Sequence, residues 1–310
     1  MAGVLIYSES SPLAMELLTA ARSLDTGKGL DVKAVCINND EQAAEISIRG
    51  AVTYLINDDN INLADTAAVA AVLEKVANDL ETPIVLLASN RRGKELAGRL
   101  AQKLQAGCLT DVNSMEAVNG RIQYRRNALS GAVVATQQIE SIRQVAALAP
   151  RSFEAAPFAE GGRIEKFEIE APASTLKLVA SRSKSGDTVD ISSADILVIV
   201  GQGVEKEDLD SVNNIARVLG AEIACSKPVA TDRKWFPEDR IIGLSGKKCS
   251  PQLAIILGVS GQVQFTVGIR DARTIVAVNN DENAYIHQMA DYAMVADLKE
   301  VLPELSKLMA

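Results

Sequence analysis

The chain has 310 residues, of which 47% are hydrophobic and 23% charged, a composition typical of globular proteins and ample for two domains. Its net charge of −8 and the lack of a sustained basic run argue against nucleic acid and anionic membranes as partners. One histidine and four cysteines without C-x-x-C spacing disfavour a metal site or a Cys/His catalytic pair, so we expect neither metal ligands nor catalytic residues.

The first ten residues, MAGVLIYSES, run directly into a short apolar strand. They lack the basic and long apolar segments of a secretory signal. The chain has no run of 18 apolar residues, so we expect no stable membrane insertion. Scattered cysteines with apolar neighbours are typical of reduced thiols, and these features together predict a cytoplasmic protein.

Strand and helix patterns alternate through the first hundred or so residues. Ser11 and Pro12 open the first helix, Asp65 caps the third and Asn90 caps the fourth. The alternation predicts βαβ units around a parallel sheet. The predicted strands cover residues 3–7, 31–37, 52–56 and 83–88, and the predicted helices cover residues 11–24, 41–48, 66–80 and 91–104.

The pattern then changes to a series of short strands joined by turns such as Asn119-Gly120. These strands, at residues 114–118, 121–127, 131–139 and 144–149, predict an antiparallel extension of the first sheet. Residues 155–190 are richer in Pro, Gly, Ser and charge and predict the inter-domain connection. The predicted domains are therefore residues 1–189, including this connection, and residues 190–310.

The second domain opens with an apolar strand at residues 196–200, followed by Gly201-Gln202-Gly203 and a helix at residues 205–219. The G-x-G turn is a weak signal, because the third glycine and the acidic residue of a dinucleotide fingerprint are not in place. Further strands are predicted at residues 221–225, 240–242, 253–257, 274–278 and 292–295, and Asp297 caps a final helix at residues 298–308. We expect a doubly wound, mainly parallel sheet flanked by helices.

The turns after these strands carry the chemistry of the chain. Ser245 lies between glycines, where a backbone can approach a flat ring, and Lys227 supplies a positive charge. Residues 258–262 offer backbone N–H groups at a helix start, which suit a pyrophosphate. Asn279 and Asp297 can bond ribose or adenine. Because these turns lie at the carboxyl ends of parallel strands, they predict a pocket for a long dinucleotide.

This segment resembles the carboxyl-terminal domain of the electron transfer flavoprotein alpha subunit. The resemblance rests on Ser226-Lys227-Pro228, Gly243-Leu244-Ser245-Gly246-Lys247, Pro251-Gln252-Leu253, Gly258-Val259-Ser260-Gly261-Gln262-Val263-Gln264, Ile275-Val276-Ala277-Val278-Asn279-Asn280-Asp281, and Ala290-Asp291-Tyr292 through Val295-Ala296-Asp297. The order and spacing of these runs match the family, whereas the first domain matches it more loosely.

The resemblance implies an FAD cofactor, extended across the second domain, and a heterodimer with a beta subunit. The beta subunit would hold AMP or a second FAD and the docking surface for dehydrogenase electron donors, and a redox acceptor would take the electrons. The chain would be an electron carrier rather than a substrate-turning enzyme. Plain and electron-bifurcating carriers both remain open.

The resemblance also implies a set of FAD-binding residues. Ser260 and Gly261 would meet the pyrophosphate, Asn279 and Asp297 the adenosine, and Ser245 the flavin N5 or O4 edge. The full predicted set is Ser226, Lys227, Gly243, Ser245, Gly246, Gly258, Ser260, Gly261, Gln262, Gln264, Phe265, Asn279 and Asp297.

Two positions depart from the family pattern. Lys227 stands where arginine is usual, and it keeps the charge but lacks the planar fork that stacks on a ring. Phe265 stands where a histidine donates to the flavin O2, and Phe cannot donate. We therefore expect weaker stabilisation of negative charge on the ring and a lower potential than in a relative with that histidine.

Two other interpretations remain open on the residues alone. An NAD-dependent enzyme or a non-redox adenine-nucleotide-binding protein could share this fold, although the single histidine, His287, is an unpromising proton-transfer group. In the first domain, the basic turn at residues 90–94 could hold a phosphate at a helix start. A solvated or subunit-facing loop is the favoured interpretation of that turn.

Overall fold

The computed structural model describes residues 3–27, 29–131, 133–174, 176–177, 179–180 and 190–308. The chain divides into two compact units, residues 1–181 and 182–310. The predicted boundary between residues 189 and 190 adjoins residues 181–189, which lie outside the described part of the chain.

The first unit begins with four strands that alternate with four helices, as predicted. The elements are β1 (Val4–Tyr7), α1 (Ser11–Ser23), β2 (Val32–Ile37), α2 (Asp40–Ser47), β3 (Val52–Ile56), α3 (Thr66–Asp79), β4 (Ile84–Ala88) and α4 (Arg91–Leu104). The predicted caps form, because the Asp65 side chain accepts from Ala67 N at 2.9 Å and the Asn90 side chain accepts from Gly93 N at 2.8 Å. Local capping chemistry therefore fixes where α3 and α4 begin.

Five more strands complete the sheet of the first unit. They are β5 (Gly107–Val118), β6 (Arg121–Ala128), β7 (Val133–Gln138), β8 (Gln144–Leu148) and β9 (Arg163–Lys166). In the described residues the strand order is β7-β6-β5-β8-β4-β1-β2-β3-β9. Strands β5, β6 and β7 pair antiparallel, which confirms the predicted extension.

The prediction for residues 144–149 was wrong in one respect. Strand β8 does not extend the antiparallel group but lies between β4 and β5 and is parallel to both. Its residues from Val145 to Leu148 are all buried. Burial on both faces is typical of an interior parallel strand, because helices cover the sheet on both sides.

Alternate residues of the first sheet face two separate cores. Val4 and Ile6 pack with Leu17 of α1 in one cluster. Leu5 packs with Leu73 of α3 in the other. The first unit is therefore a sheet with helices on both faces.

The second unit is a smaller sheet with the same layered plan. Its elements are β10 (Ile196–Val200), α5 (Leu209–Leu219), β11 (Glu222–Cys225), α6 (Lys227–Thr231), β12 (Leu253–Leu257), α7 (Val263–Thr266), β13 (Ile275–Asn279), α8 (Ile286–Met289), β14 (Tyr292–Val295) and α9 (Leu298–Leu308). The order β11-β10-β12-β13-β14 is parallel at every pairing. Two core clusters cover its two faces. This confirms the doubly wound sheet.

Two predicted elements of the second unit differ from the structure. Residues 240–242 form no strand, because Ile241 and Ile242 make only isolated bridges, to Cys225 and Lys247. Both isoleucines are nevertheless buried, so their apolar character is explained by packing rather than by a strand ladder. The helix predicted from residue 205 is α-helical only from Leu209, after a 3₁₀ turn at Lys206–Asp208.

The helices of the described residues are also informative about membranes. None of them combines the length and the apolar character that a bilayer-spanning helix needs.

Candidate cofactor-binding site

The strand order of the second unit puts a topological switch point between β10 and β12, and the region outside the strand ends at that point is called the crevice below. From β10 the chain crosses to β11 on one side, and from β12 it crosses to β13 on the other. Ligands of doubly wound sheets bind outside the carboxyl ends of the strands at such a switch point. Two loops border it, the switch loop (residues 201–204) and the phosphate loop (residues 258–262).

These two loops are held together by backbone contacts between glycines. Gly201 N donates to Leu257 O at 2.8 Å, and Gly203 N donates to Gly258 O at 2.9 Å. Gly258 has φ +64°, and a Cβ built on it would lie 2.7 Å from Gly203 Cα. Glycine is required at this contact because the two backbones approach too closely for side chains. The G-x-G turn therefore serves loop packing at the crevice.

The phosphate loop is fixed from its other side by Asn279, which is 9% exposed. Its Nδ2 donates to Val259 O at 2.8 Å, and its Oδ1 accepts from Asp281 N at 3.0 Å. Gly261 has φ +85°, and its Cβ would lie 2.3 Å from Ile286 N. The loop is thus a rigid backbone turn with an exposed Ser260.

The backbone polarity of this turn fits an anionic ligand. Helix α7 is a single turn that begins at Val263, and since Phe265 N and Thr266 N donate to Gln262 O, its first two N–H groups are the ones without a carbonyl partner in the turn. Ser260, Gln262 and Gln264 are all exposed beside these groups. The arrangement suits the pyrophosphate of a dinucleotide, as the sequence predicts.

A third loop, the serine loop (residues 243–247), lies beside α7. Leu244 N donates to Gln264 O at 2.7 Å. Gly243 has φ +132°, and a Cβ built on it would lie only 2.4 Å from the same Gln264 oxygen. Ser245 is exposed at the tip of the loop, and Lys227 is exposed in the first turn of α6. A polar hydroxyl and a cation are therefore available to a ligand at this edge.

An ion pair anchors the far end of the serine loop. Lys247 Nζ lies 2.8 Å from Asp190 Oδ1. Burial alone would raise the pKa of Asp190, but hydrogen bonds from Lys247 and Ser192 outweigh it and hold the pKa below its usual value. The carboxylate is thus charged, and it joins the start of the second unit to the loop that carries Ser245.

Cys225, at the end of β11, is not suited to redox or nucleophilic chemistry. It is fully buried, and burial raises the pKa of its thiol to about 12. The neutral thiol is a poor nucleophile. In addition, no cluster of His, Cys, Asp or Glu suited to a metal ion occurs in the described residues.

The surroundings of Phe265 and Asp297, two of the predicted FAD-binding residues, could not be read from the sequence. Phe265 is only 7% exposed and belongs to the buried cluster that contains Ile242 and Ile269. Asp297 is exposed beyond β14, and its Oδ1 accepts from Lys299 N at 2.9 Å, which caps α9 as predicted. Contact of either side chain with a ligand stays a prediction.

Two of the basic side chains in the turn of the first unit form ion pairs with carboxylates. Arg92 Nη1 lies 2.9 Å from Glu9 Oε2, and Lys94 Nζ lies 2.7 Å from Asp111 Oδ1. Their charge is locally neutralised, which supports the interpretation of this turn as a surface loop rather than a phosphate site.

One polar contact at the crevice had no signal in the sequence. The Arg233 guanidinium donates to Val204 O at 2.6 Å and to Gln202 O at 2.8 Å, and it lies 4.6 Å from the centre of the Trp235 ring. These partners are 29 and 31 residues away in the chain, so no local pattern indicates them.

The fold is that of a two-unit α/β protein, and the switch point of its second unit is of the kind at which doubly wound sheets bind nucleotides. Residues 4–172 match the electron transfer flavoprotein domain, and residues 190–270 match the electron transfer flavoprotein FAD-binding domain. Protein FixB of Escherichia coli O157:H7 is 30% identical over 312 residues, covering 99% of this chain and 98% of that protein. Protein FixB of Salmonella typhi is 29% identical over 310 residues, with the same coverage.

The chain therefore belongs to the electron transfer flavoprotein family, and it is of the alpha type. Its second domain binds FAD, and its activity is electron transfer. An NAD-dependent or purely adenine-nucleotide-binding role is not favoured by these matches.

Proposed function

We propose that this chain is the FAD-holding half of a heterodimer with a beta-type subunit. Electrons enter from dehydrogenases and leave to a redox acceptor, while the beta-type subunit carries AMP or a second FAD. Bound FAD supplies the capacity to take up and release one or two electrons, and the protein supplies binding and electrostatics. The family matches over both units support this assembly.

The observation that carries the proposal is the rigid phosphate loop at the switch point. Asn279 holds Val259 on one side and Gly203 holds Gly258 on the other. A loop fixed in this way presents its N–H groups without a large ordering cost when an anion binds, because few conformations are lost. We assign the pyrophosphate to Ser260 and Gly261 on this basis.

The ring and the adenosine are assigned to the two sides of that loop. The serine loop is bonded to α7 through Leu244, so Ser245 and Lys227 are proposed to serve the flavin ring. Both are exposed, which suits a ring that a partner must reach. Asn279 and Asp297 are proposed to serve the adenosine end. Because its amide already bonds Val259 and Asp281, Asn279 acts largely through the loop that it holds.

Visible absorbance after co-expression with the beta-type subunit tests the proposal. The expected result is a yellow heterodimer that contains FAD and is bleached by a reduced dehydrogenase partner. A colourless heterodimer that takes up no added FAD would contradict it.

A matched pair of substitutions tests the placement of the pyrophosphate. Gln262→Glu and Gln288→Glu each convert an exposed amide of the second unit into a carboxylate of the same shape. Repulsion from the pyrophosphate should weaken FAD binding by the Gln262→Glu variant on the order of tenfold. The Gln288→Glu variant should bind FAD as the wild type does. Equal affinity of the two variants would rule out the assigned placement.

A further inference from the structure

Arg233 is a cation held at the crevice by uncharged partners. Its two hydrogen bonds go to the carbonyl oxygens of Gln202 and Val204, and its third neighbour is the Trp235 ring. Among the described residues no carboxylate lies within salt-bridge distance of it. The positive charge is therefore not neutralised by a neighbouring acid.

The carbonyls that Arg233 engages belong to the switch loop. They flank Gly203, whose N–H donates to Gly258 O at the start of the phosphate loop. Arg233 is thus connected to the phosphate loop in two steps. Its guanidinium bonds the carbonyls of the switch loop, and Gly203 N in that loop bonds Gly258 O. The two glycine backbones are in direct contact, because a Cβ on either one has no room, so a displacement of the switch loop toward Gly258 would press on the phosphate loop.

The guanidinium is suited to this position for two reasons. Its planar fork can bond two carbonyl oxygens at once, which an ammonium group cannot do with the same geometry. Its charge also offsets the partial negative charge of the two carbonyl oxygens that it bonds. Stacking on Trp235 fixes the orientation of the fork.

We propose that Arg233 is a positioning residue for FAD, acting through the switch loop on the phosphate loop, and that Trp235 orients it. This inference rests on the proposed FAD placement at residues 258–262. It assigns to the segment after α6 a function in cofactor affinity.

The experiment compares three variants of the full chain, each co-expressed with the beta-type subunit and stripped of FAD. Arg233→Gln removes the charge, and Arg233→Lys keeps the charge but not the fork. Lys234→Gln removes the adjacent, exposed charge and is the matched control. FAD affinity is measured from the quenching of free FAD fluorescence. The emission of Trp235, isolated by subtracting that of a Trp235→Phe variant, is measured in parallel.

We expect Arg233→Gln to bind FAD on the order of tenfold more weakly than the wild type. Arg233→Lys should fall between the two, and Lys234→Gln should stay within about twofold of the wild type, as exposed charges usually do. Trp235 emission should change in both Arg233 variants but not in Lys234→Gln, because only they lose the stacked guanidinium.

Wild-type affinity in Arg233→Gln, or an equal loss in Lys234→Gln, would overturn the inference. The inference would also be overturned if Arg233→Gln lost as much unfolding free energy in the FAD-free protein, measured by urea, as it lost in FAD-binding free energy. The role of Arg233 would then be purely structural. Failure of the wild-type heterodimer to bind FAD would instead reject the proposed function, so the two failures are distinguishable.

Discussion

The buried amide of Asn279 gives the sharpest test of how the site is built. In the structure its Nδ2 ties the phosphate loop to the end of β13 by donating to Val259 O, and its Oδ1 accepts from Asp281 N in the turn that follows β13. The substitution Asn279→Ala removes both. If the amide positions the loop, its loss must affect the protein before any cofactor binds.

The size of that effect follows from the two bonds. Each net hydrogen bond contributes about 1 kcal/mol, and the carbonyl of Val259 is left without its partner in a buried position, which costs about 1–3 kcal/mol more. We therefore expect the FAD-free protein to lose roughly 3–5 kcal/mol of unfolding free energy. FAD binding should weaken as well, because the loop must then be ordered by the ligand.

The assay is urea unfolding of the FAD-free protein beside an FAD titration, with Asn279→Asp as the companion variant. Aspartate keeps the acceptor for Asp281 N but places a carboxylate against the carbonyl of Val259. Its defect should be larger at pH 8 than at pH 4, because a protonated carboxyl can donate again. If Asn279→Ala weakens FAD binding while the stability of the FAD-free protein is unchanged, the amide contacts the ligand directly and the positioning argument is refuted.

The remaining predictions concern other side chains of the same sheet edge. Lys227→Arg should raise the potential of bound FAD and Lys227→Met should lower it in a dye-coupled titration, because a cation near the ring favours its reduced, anionic form. Gly258→Ala should abolish FAD retention on gel filtration, since φ of +64° and the facing glycine leave no room for a Cβ. The Asp190 pKa is depressed in the folded protein, so its pairing with Lys247 stabilises above the ordinary carboxyl pKa and is lost as pH falls through the depressed value. The urea midpoints of wild type and Asp190→Asn should therefore converge in acid. Phe265→His should raise the FAD potential, and an unchanged potential in a variant with wild-type circular dichroism would contradict the predicted missing donor.

Local patterns were sufficient for most of the scaffold. Asp65 and Asn90 cap the helices that they were predicted to cap, because capping is decided within four residues. The strand at residues 253–257 was predicted with its observed bounds, since a short apolar run bounded by turns has few alternatives.

Strand pairing was harder to predict because it is not a local property. Strand β8 follows three antiparallel strands in sequence, yet it pairs in parallel with β4, some sixty residues earlier. The turns before β8 therefore predict the wrong neighbours for it. The continuous burial of Val145–Leu148 carried the correct signal, but such a run does not identify its partner.

The candidate site shows the same division between local and distant information. The glycines of the serine and phosphate loops were predictable, because turns that require positive φ favour glycine. The contacts of Arg233 and of Gly203 were not, because they join segments far apart in the chain. The sequence thus predicts which loops bind the cofactor, whereas the structure identifies the residues that hold those loops together.

This separation also bears on where the redox properties of the site are set. Phe265 packs inside the apolar cluster with Ile242, and its Cα lies 3.3 Å from a Cβ built on Gly243. On that evidence Phe265 supports the serine loop from the side of the buried core.

Lys227 and Ser245 are instead exposed at the edge where the ring is assigned. A charge and a hydroxyl in that position are sensitive to solvent and to whatever covers them, because the effective dielectric falls when a partner excludes water. The potential of bound FAD should therefore depend on the beta-type subunit through these two residues more than through Phe265.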